Sequence, residues 1–125
     1  MKKDDSVYLK DIWNAIDKID RYMKGINLEN FQSDDMRQDA VIRQLEIIGE
    51  AAKNISEKTK KQYSEVEWKK IAGSRDIFIH TYFGVNLERV WDIIKKDLPD
   101  LKEKISKIRK DLENAKGKFK RDTKD

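Results

Sequence analysis

The sequence predicts an all-α fold, an antiparallel bundle of four to five main helices. Three observations predict it. Apolar residues recur every three or four positions through most of the chain. One proline and five glycines in 125 residues leave few places for a helix to break. Charged residues make up 42% and hydrophobic residues 38%, a balance that suits amphipathic helices whose outer faces take up the charge. The length points to one helical domain, spanning residues 1–115. A basic polar tail follows at residues 116–125 and is expected to be disordered.

Each element has its own signal. Asp5 or Ser6 can cap a first helix from about Val7 to Lys24, with Leu9, Ile12, Trp13, Ile16, Ile19 and Met23 as its apolar stripe. Gly25 is a natural stop. Ile26 to Ser33 is a connection with at most one helical turn around Leu28 to Phe31. Ser33 or Asp34 opens a second helix that runs to about Ser56, with core positions Val41, Leu45, Ile48, Ala52 and Ile55. Asp39, Arg43, Glu46 and Glu50 cluster on its opposite side. That stripe has two readings: a solvated face laced with i,i+3 and i,i+4 ion pairs, or the lining of a site or partner surface. Lys58 to Tyr63 reads as a short frayed turn. A third helical region starts near Glu65 to Trp68 and runs through Ile71 into the Gly73–Gly84 stretch, where Phe83-Gly84 ends it. Asn86 can cap the next helix, which carries Leu87, Val90, Trp91, Ile94 and Leu98. Pro99 suits the first turn of a further helix, with Leu101, Ile105, Ile108 and Leu112 as its stripe.

Composition narrows the chemistry. The net charge of +4 permits nucleic-acid binding without demanding it. The absence of cysteine excludes thiolate catalysis and Cys-based zinc sites and suits a reducing cytoplasm, the expected location. No apolar run is long enough to span a membrane, so no membrane partner is expected. Asp34, Asp35 and Asp39 match no calcium loop, and helix capping explains them better. No Gly-rich phosphate loop is present. Neither a metal nor a cofactor is expected.

The chemistry-bearing residues concentrate in one stretch, Gly73 to Gly84, which holds the only histidine. It reads Arg75-Asp76-Ile77-Phe78-Ile79-His80-Thr81-Tyr82. With Arg75 at zero on a helix wheel, Asp76 falls at about 100°, His80 at about 140° and Tyr82 at about −20°. Arg75 and Tyr82 therefore share one face, and Asp76 and His80 share another, where the carboxylate can orient the imidazole. Metal-free RNA cleavage takes a base for the ribose 2′-OH, an acid for the leaving oxygen and a cation for the phosphorane charge. One histidine does not serve as acid and base at once. Two copies related by a twofold axis would bring two His80 and two Arg75 to one cleft. A purely structural histidine, with Arg75 paired to Asp76 or Glu50, stands as the alternative.

The string from Arg75 to Gly84 resembles the Arg-x4-His-x-Tyr signature of HepT-like HEPN-domain toxins. The helix Asp39 to Ala52 resembles their central helix, and Trp68 to Gly73 and Val90-Trp91 with Asp97-Leu98-Pro99 also fit. The resemblance covers about residues 7 to 112. It implies a HEPN bundle that forms a homodimer, with both Arg/His motifs facing one cleft. It implies a metal-independent endoribonuclease acting on RNA as the toxin of a type VII-like toxin–antitoxin pair. The implied partner is a minimal nucleotidyltransferase antitoxin, which would neutralise the toxin by transferring AMP to Tyr82. Carried over by position, Arg75 and His80 are catalytic. Asp76 fills a polar slot that is often Asn in the family. Beside the resemblance, the charged stripe Asp39, Arg43, Glu46 and Glu50 is read as the neighbouring, supporting wall. The alternative function is a non-catalytic helical dimer that serves as binding partner or substrate of the nucleotidyltransferase.

Overall fold

The computed structural model describes residues 4–73 and 86–122, with side chains through Ala115. Among the described residues every regular element is helical. Helix α1 spans Asp5–Met23 and buries Leu9, Ile12, Ala15, Ile16, Ile19 and Met23. Trp13 lies half-buried at the edge of that face. The cap is Asp4, whose side chain accepts from the Ser6 N–H at 3.0 Å. The expectation of Asp5 or Ser6 as cap is corrected by one position, because the Asp5 carboxylate is engaged elsewhere. After the C-cap Lys24, Gly25 takes φ 74°, in the left-handed region open to glycine.

Helix α2, Leu28–Gln32, is the single turn expected there, capped by Asn27. It seats the fully buried Phe31 with its ring centroid 6.1 Å from that of Trp91. Helix α3, Asp35–Asn54, starts from the Asp34 cap, which accepts from the Arg37 N–H at 3.1 Å. Arg37 also donates to the Tyr22 carbonyl and so ties α3 back to α1. All the expected core positions of α3, with Ile55 just beyond it, are buried.

Helix α3 stops at Asn54 rather than Ser56, because Ser56 is the cap of a new helix. Its hydroxyl accepts from the Thr59 N–H at 3.3 Å and opens α4, Glu57–Gln62. The frayed turn expected at Lys58 to Tyr63 is thus a capped helix. Asp5 explains the gain in order. Its carboxylate accepts from the Ser56 N–H at 2.9 Å, the Ser56 hydroxyl at 2.6 Å and the Thr59 hydroxyl at 2.5 Å. An acid in the first turn of α1 therefore holds the first turn of α4. Helix α5 begins at residue 68 and is described through residue 73. Trp68 is buried and donates its indole N–H to the Tyr63 carbonyl at 3.0 Å.

Asn86 caps α6, Leu87–Asp92, by accepting from the Glu88 and Arg89 N–H groups. A π-helical turn at Ile93–Asp97 joins α6 to α7, Leu98–Asp122. The sequence suggests two helices parted at Pro99; the backbone is instead one helical run. Proline within an α-helix removes one hydrogen bond and presses its ring on the carbonyl four residues back. The wider π turn just ahead of Pro99 relieves this, with the Leu98 N–H bonded to the Ile93 carbonyl five residues earlier. The helical backbone runs on past Lys116, where the apolar pattern fades, to Asp122.

Helix α1 packs along both α3 and α7. The α1–α7 seam carries several polar staples. Trp13 donates its indole N–H to the Ser106 hydroxyl at 3.1 Å. The Lys102 ammonium lies 4.9 Å from the Trp13 ring centroid and bridges Asp17 at 3.4 Å and Asp20 at 2.9 Å. Its hydrogen bond to Asp20 is the main reason that the Lys102 ammonium is held above its usual range. No described helix is long and apolar enough to cross a membrane.

Candidate functional site

Opposite its buried face, α3 presents the charged positions expected from the wheel. Asp39, Arg43 and Glu50 are exposed and Glu46 is half-buried. Arg43 pairs with Glu46 at 3.4 Å, one i,i+3 contact of the kind expected on a solvated helix face. Arg75, Asp76, His80 and Tyr82 lie outside the described residues.

A cleft of about 1030 Å³ opens between α3, the α4–α5 connection and the α6–α7 run. Its floor is apolar, formed by the buried side chains of Leu45, Ile48, Val66, Val90, Leu98 and Leu101. Its rim is charged. Lys70 pairs with Glu67 at 3.4 Å, Lys96 with Asp92 at 3.9 Å and Lys104 with Asp100 at 3.0 Å. The hydrogen bond to Asp100 chiefly holds the Lys104 ammonium above its ordinary range, so it stays charged at any physiological pH. Arg89 differs from these lysines, having no carboxylate within 4.0 Å among the described residues. Gly73 and Asn86 both line this cleft. They are the last described residue before the histidine stretch and the first after it. The stretch is therefore joined to the bundle at both ends on one cleft.

Helix α3 contributes Leu45 and Ile48 to the cleft lining, whereas Asp39, Arg43, Glu46 and Glu50 project from other positions of that helix. Apolar periodicity and motif spacing do not mark Arg89. A weaker signal does: it is a cation in the first turn of a helical run, where the helix dipole disfavours positive charge. A residue placed against that preference is a candidate for a role other than helix stability.

The model of the family described as "Ribonuclease HepT-like" matches residues 12–108 of the chain. The chain belongs to this family. The match runs from Ile12 within α1 to Ile108 within α7 and takes in the described cleft and the Arg75–Tyr82 stretch. Among HepT-like relatives, the "Probable ribonuclease HepT" of Thermococcus cleftensis is 46% identical over 110 residues, covering 88% of this chain and 100% of the relative. A protein of Caldanaerobacter subterraneus subsp. tengcongensis, provisionally named an RNase, is 42% identical over 101 residues, covering 81% of this chain and 90% of its own length. A Methanocaldococcus jannaschii protein, named as a gamma-glutamylcyclotransferase and provisionally as an RNase, is 44% identical over 116 residues. That alignment covers 93% of this chain but 52% of the relative, so the HepT-like chain spans about half of that larger protein. No solved structure matches the chain significantly.

Proposed function

We propose that this chain is a metal-independent endoribonuclease that acts as a homodimer, with Arg75 and His80 as its catalytic residues. Membership of the HepT-like family and the RNase names of its relatives support the activity class. The observation that carries the site is the joining of the Arg75–Tyr82 stretch to the bundle at Gly73 and Asn86, both on one cleft.

In the proposed reaction one His80 removes the proton from a ribose 2′-OH. The 2′ oxygen attacks the neighbouring phosphorus, and the bond from phosphorus to the 5′ oxygen breaks. A second His80, from the partner protomer, supplies the proton to that leaving oxygen. The products are a 2′,3′-cyclic phosphate and a 5′-hydroxyl end. Arg75 offsets the charge that builds on the phosphorane oxygens. Asp76 orients His80, and Asp39, Arg43, Glu46 and Glu50 form a supporting charged wall on α3.

The finer biological reading is a toxin of a type VII-like toxin–antitoxin pair in the cytoplasm. A minimal nucleotidyltransferase antitoxin would attach AMP to Tyr82: the phenol oxygen attacks the α-phosphorus of a nucleoside triphosphate and pyrophosphate leaves. The added phosphodiester would compete with RNA phosphate for Arg75, which the helix wheel assigns to the same face as Tyr82.

The test is cleavage of RNA by purified, unmodified protein in the presence of a chelator. Arg75→Ala and His80→Ala are each expected to lower kcat by at least about a hundredfold, the range for losing a general acid–base or an oxyanion stabiliser. Circular dichroism should show the helical fold intact. The reading fails if the wild-type protein cuts no RNA, or if both variants cut it as fast as wild type does.

A further inference from the structure

Charge is distributed unevenly along this chain. From Lys104 to Asp125 there are nine basic and four acidic residues, a net of +5. The other 103 residues hold nineteen basic and twenty acidic residues, a net of −1. Most of the basic excess lies on α7, and much of it lies on one side of the helix. At 100° per residue, Lys107, Lys110, Asn114, Lys118 and Arg121 fall within a sector of about 80°. Between Lys107 and Arg121 no acidic residue falls in that sector. Ile105, Ile108 and Leu112 lie on the opposite side, and the two isoleucines are fully buried in the core.

The described part of this stripe faces solvent. Lys107, Lys110 and Asn114 are exposed. Neither lysine has an ion-pair partner among the described residues, although carboxylates are abundant in the chain. The nearby Asp111 is drawn aside, accepting from the Tyr63 hydroxyl at 2.9 Å. The stripe begins beside the cleft: Lys104, a cleft-lining residue just outside the sector, stands one turn before Lys107.

We propose that this outer face of α7 is a rail for the sugar–phosphate backbone of RNA, leading a substrate strand away from the cleft. The proposal rests on the ribonuclease reading and extends it. From Lys107 to Arg121 the rail is about 21 Å long at 1.5 Å rise per residue, enough to pass several phosphates of one strand. Lysines are point charges that hold phosphates without reading bases, so the rail adds affinity and not sequence preference. Protein interfaces deplete lysine and need an apolar centre, which this stripe lacks. A membrane-surface helix would need its apolar face free, and here that face is the bundle core.

The test uses a fluorescein-labelled 2′-O-methyl oligoribonucleotide of about twenty nucleotides, which can be bound but has no free 2′-OH to react. In the full chain, Lys107→Gln, Lys110→Gln, Lys118→Gln and Arg121→Gln are made together. Glutamine keeps a similar helix propensity, and circular dichroism checks it. Anisotropy is expected to show a Kd at least about tenfold weaker than wild type. The slope of log Kd against log salt should fall by about 3, since each single-strand phosphate no longer neutralised lowers it by about 0.7. Cleavage of a four-nucleotide RNA should keep its kcat, while KM for long RNA rises. A charge-matched variant of exposed lysines elsewhere (Lys10→Gln, Lys18→Gln, Lys53→Gln, Lys58→Gln) should shift Kd less than about threefold.

The rail is overturned by an unchanged Kd and salt slope, by an equal loss in the charge-matched variant, or by a wild-type protein that does not bind the probe. Those results leave the ribonuclease reading standing if Arg75-dependent cleavage persists. Binding through the stripe without any cleavage has the opposite meaning: the rail stands and the ribonuclease reading falls.

Discussion

Asp5 sits where it could cap its own helix, yet it serves a helix fifty residues away. Burial raises the pKa of its carboxyl, but the hydrogen bonds from Ser56 and Thr59 outweigh that, and the net shift is downward. A carboxyl with a depressed folded pKa contributes stability above its unfolded pKa and loses it as pH falls through the folded value. Asp5→Asn is therefore expected to lower stability near pH 7 by about 1–2 kcal/mol, the range for a charge-assisted hydrogen-bond group that is partly exposed. Urea melts at pH 7 and at a pH below the aspartate range should show the gap between variant and wild type closing in acid; an equal gap at both pH values would disprove the ionic role. Tyr63 has the reverse sign. Burial first, and then its bond to Asp111, raise the phenol pKa, so its contribution holds at neutral pH and is lost only in strong alkali. The sequence alone marks Asp5 as a capping residue by type. It does not reveal which helix end the carboxylate reaches, because that depends on α1 and α4 meeting in space.

Apolar spacing gave the helices their existence and their buried faces, since burial at i, i+3 and i+4 is what a helix in a bundle requires. Leu9, Ile12, Ile16, Ile19 and Met23 on α1, and Val41, Leu45, Ile48 and Ala52 on α3, are all buried. What spacing could not supply was the local order that comes from distant partners. Helix α4 is too short and too basic to stand alone by propensity; Asp5 and the Ser56 cap complete it. Pro99 carries the other lesson. A proline after an apolar run reads as a boundary, but a π turn lets the helix pass through it. Gly25 is the clearest single position at this scale. At φ 74° a side chain is strained, although nothing within 4 Å would touch an added Cβ. Gly25→Ala should thus destabilise by about 1–2 kcal/mol through backbone strain alone. Thermal melting would detect this, and a glycine-to-asparagine change should recover part of it, since Asn tolerates the left-handed region better.

At the scale of the whole molecule, the bundle was legible and the candidate site was legible only as a string. Arg75, His80 and Tyr82 stand out by type and spacing, whereas the cleft is assembled from α3, the α4–α5 connection and the α6–α7 run, which no local pattern links. The proposed reading, a site completed by two copies, makes the assembly state a kinetic variable. The protein is expected to sediment at about twice its chain mass of 14.8 kDa, and its specific activity in RNA cleavage should fall on dilution below the dimer dissociation constant. A monomer by sedimentation with full, dilution-independent activity would refute the shared cleft. The π turn at Ile93–Asp97 has a consequence for how such a chain can vary in length. A π turn is one residue more than an α-helix needs, so it is the place in the 87–122 run where a residue can be deleted without rotating α6 against α7. Pro99 opposes that deletion, because the restored α ladder would then meet the proline ring. Loss of the extra residue and loss of the proline are therefore coupled events, and a shorter helix of this design should carry a different residue at the position of Pro99.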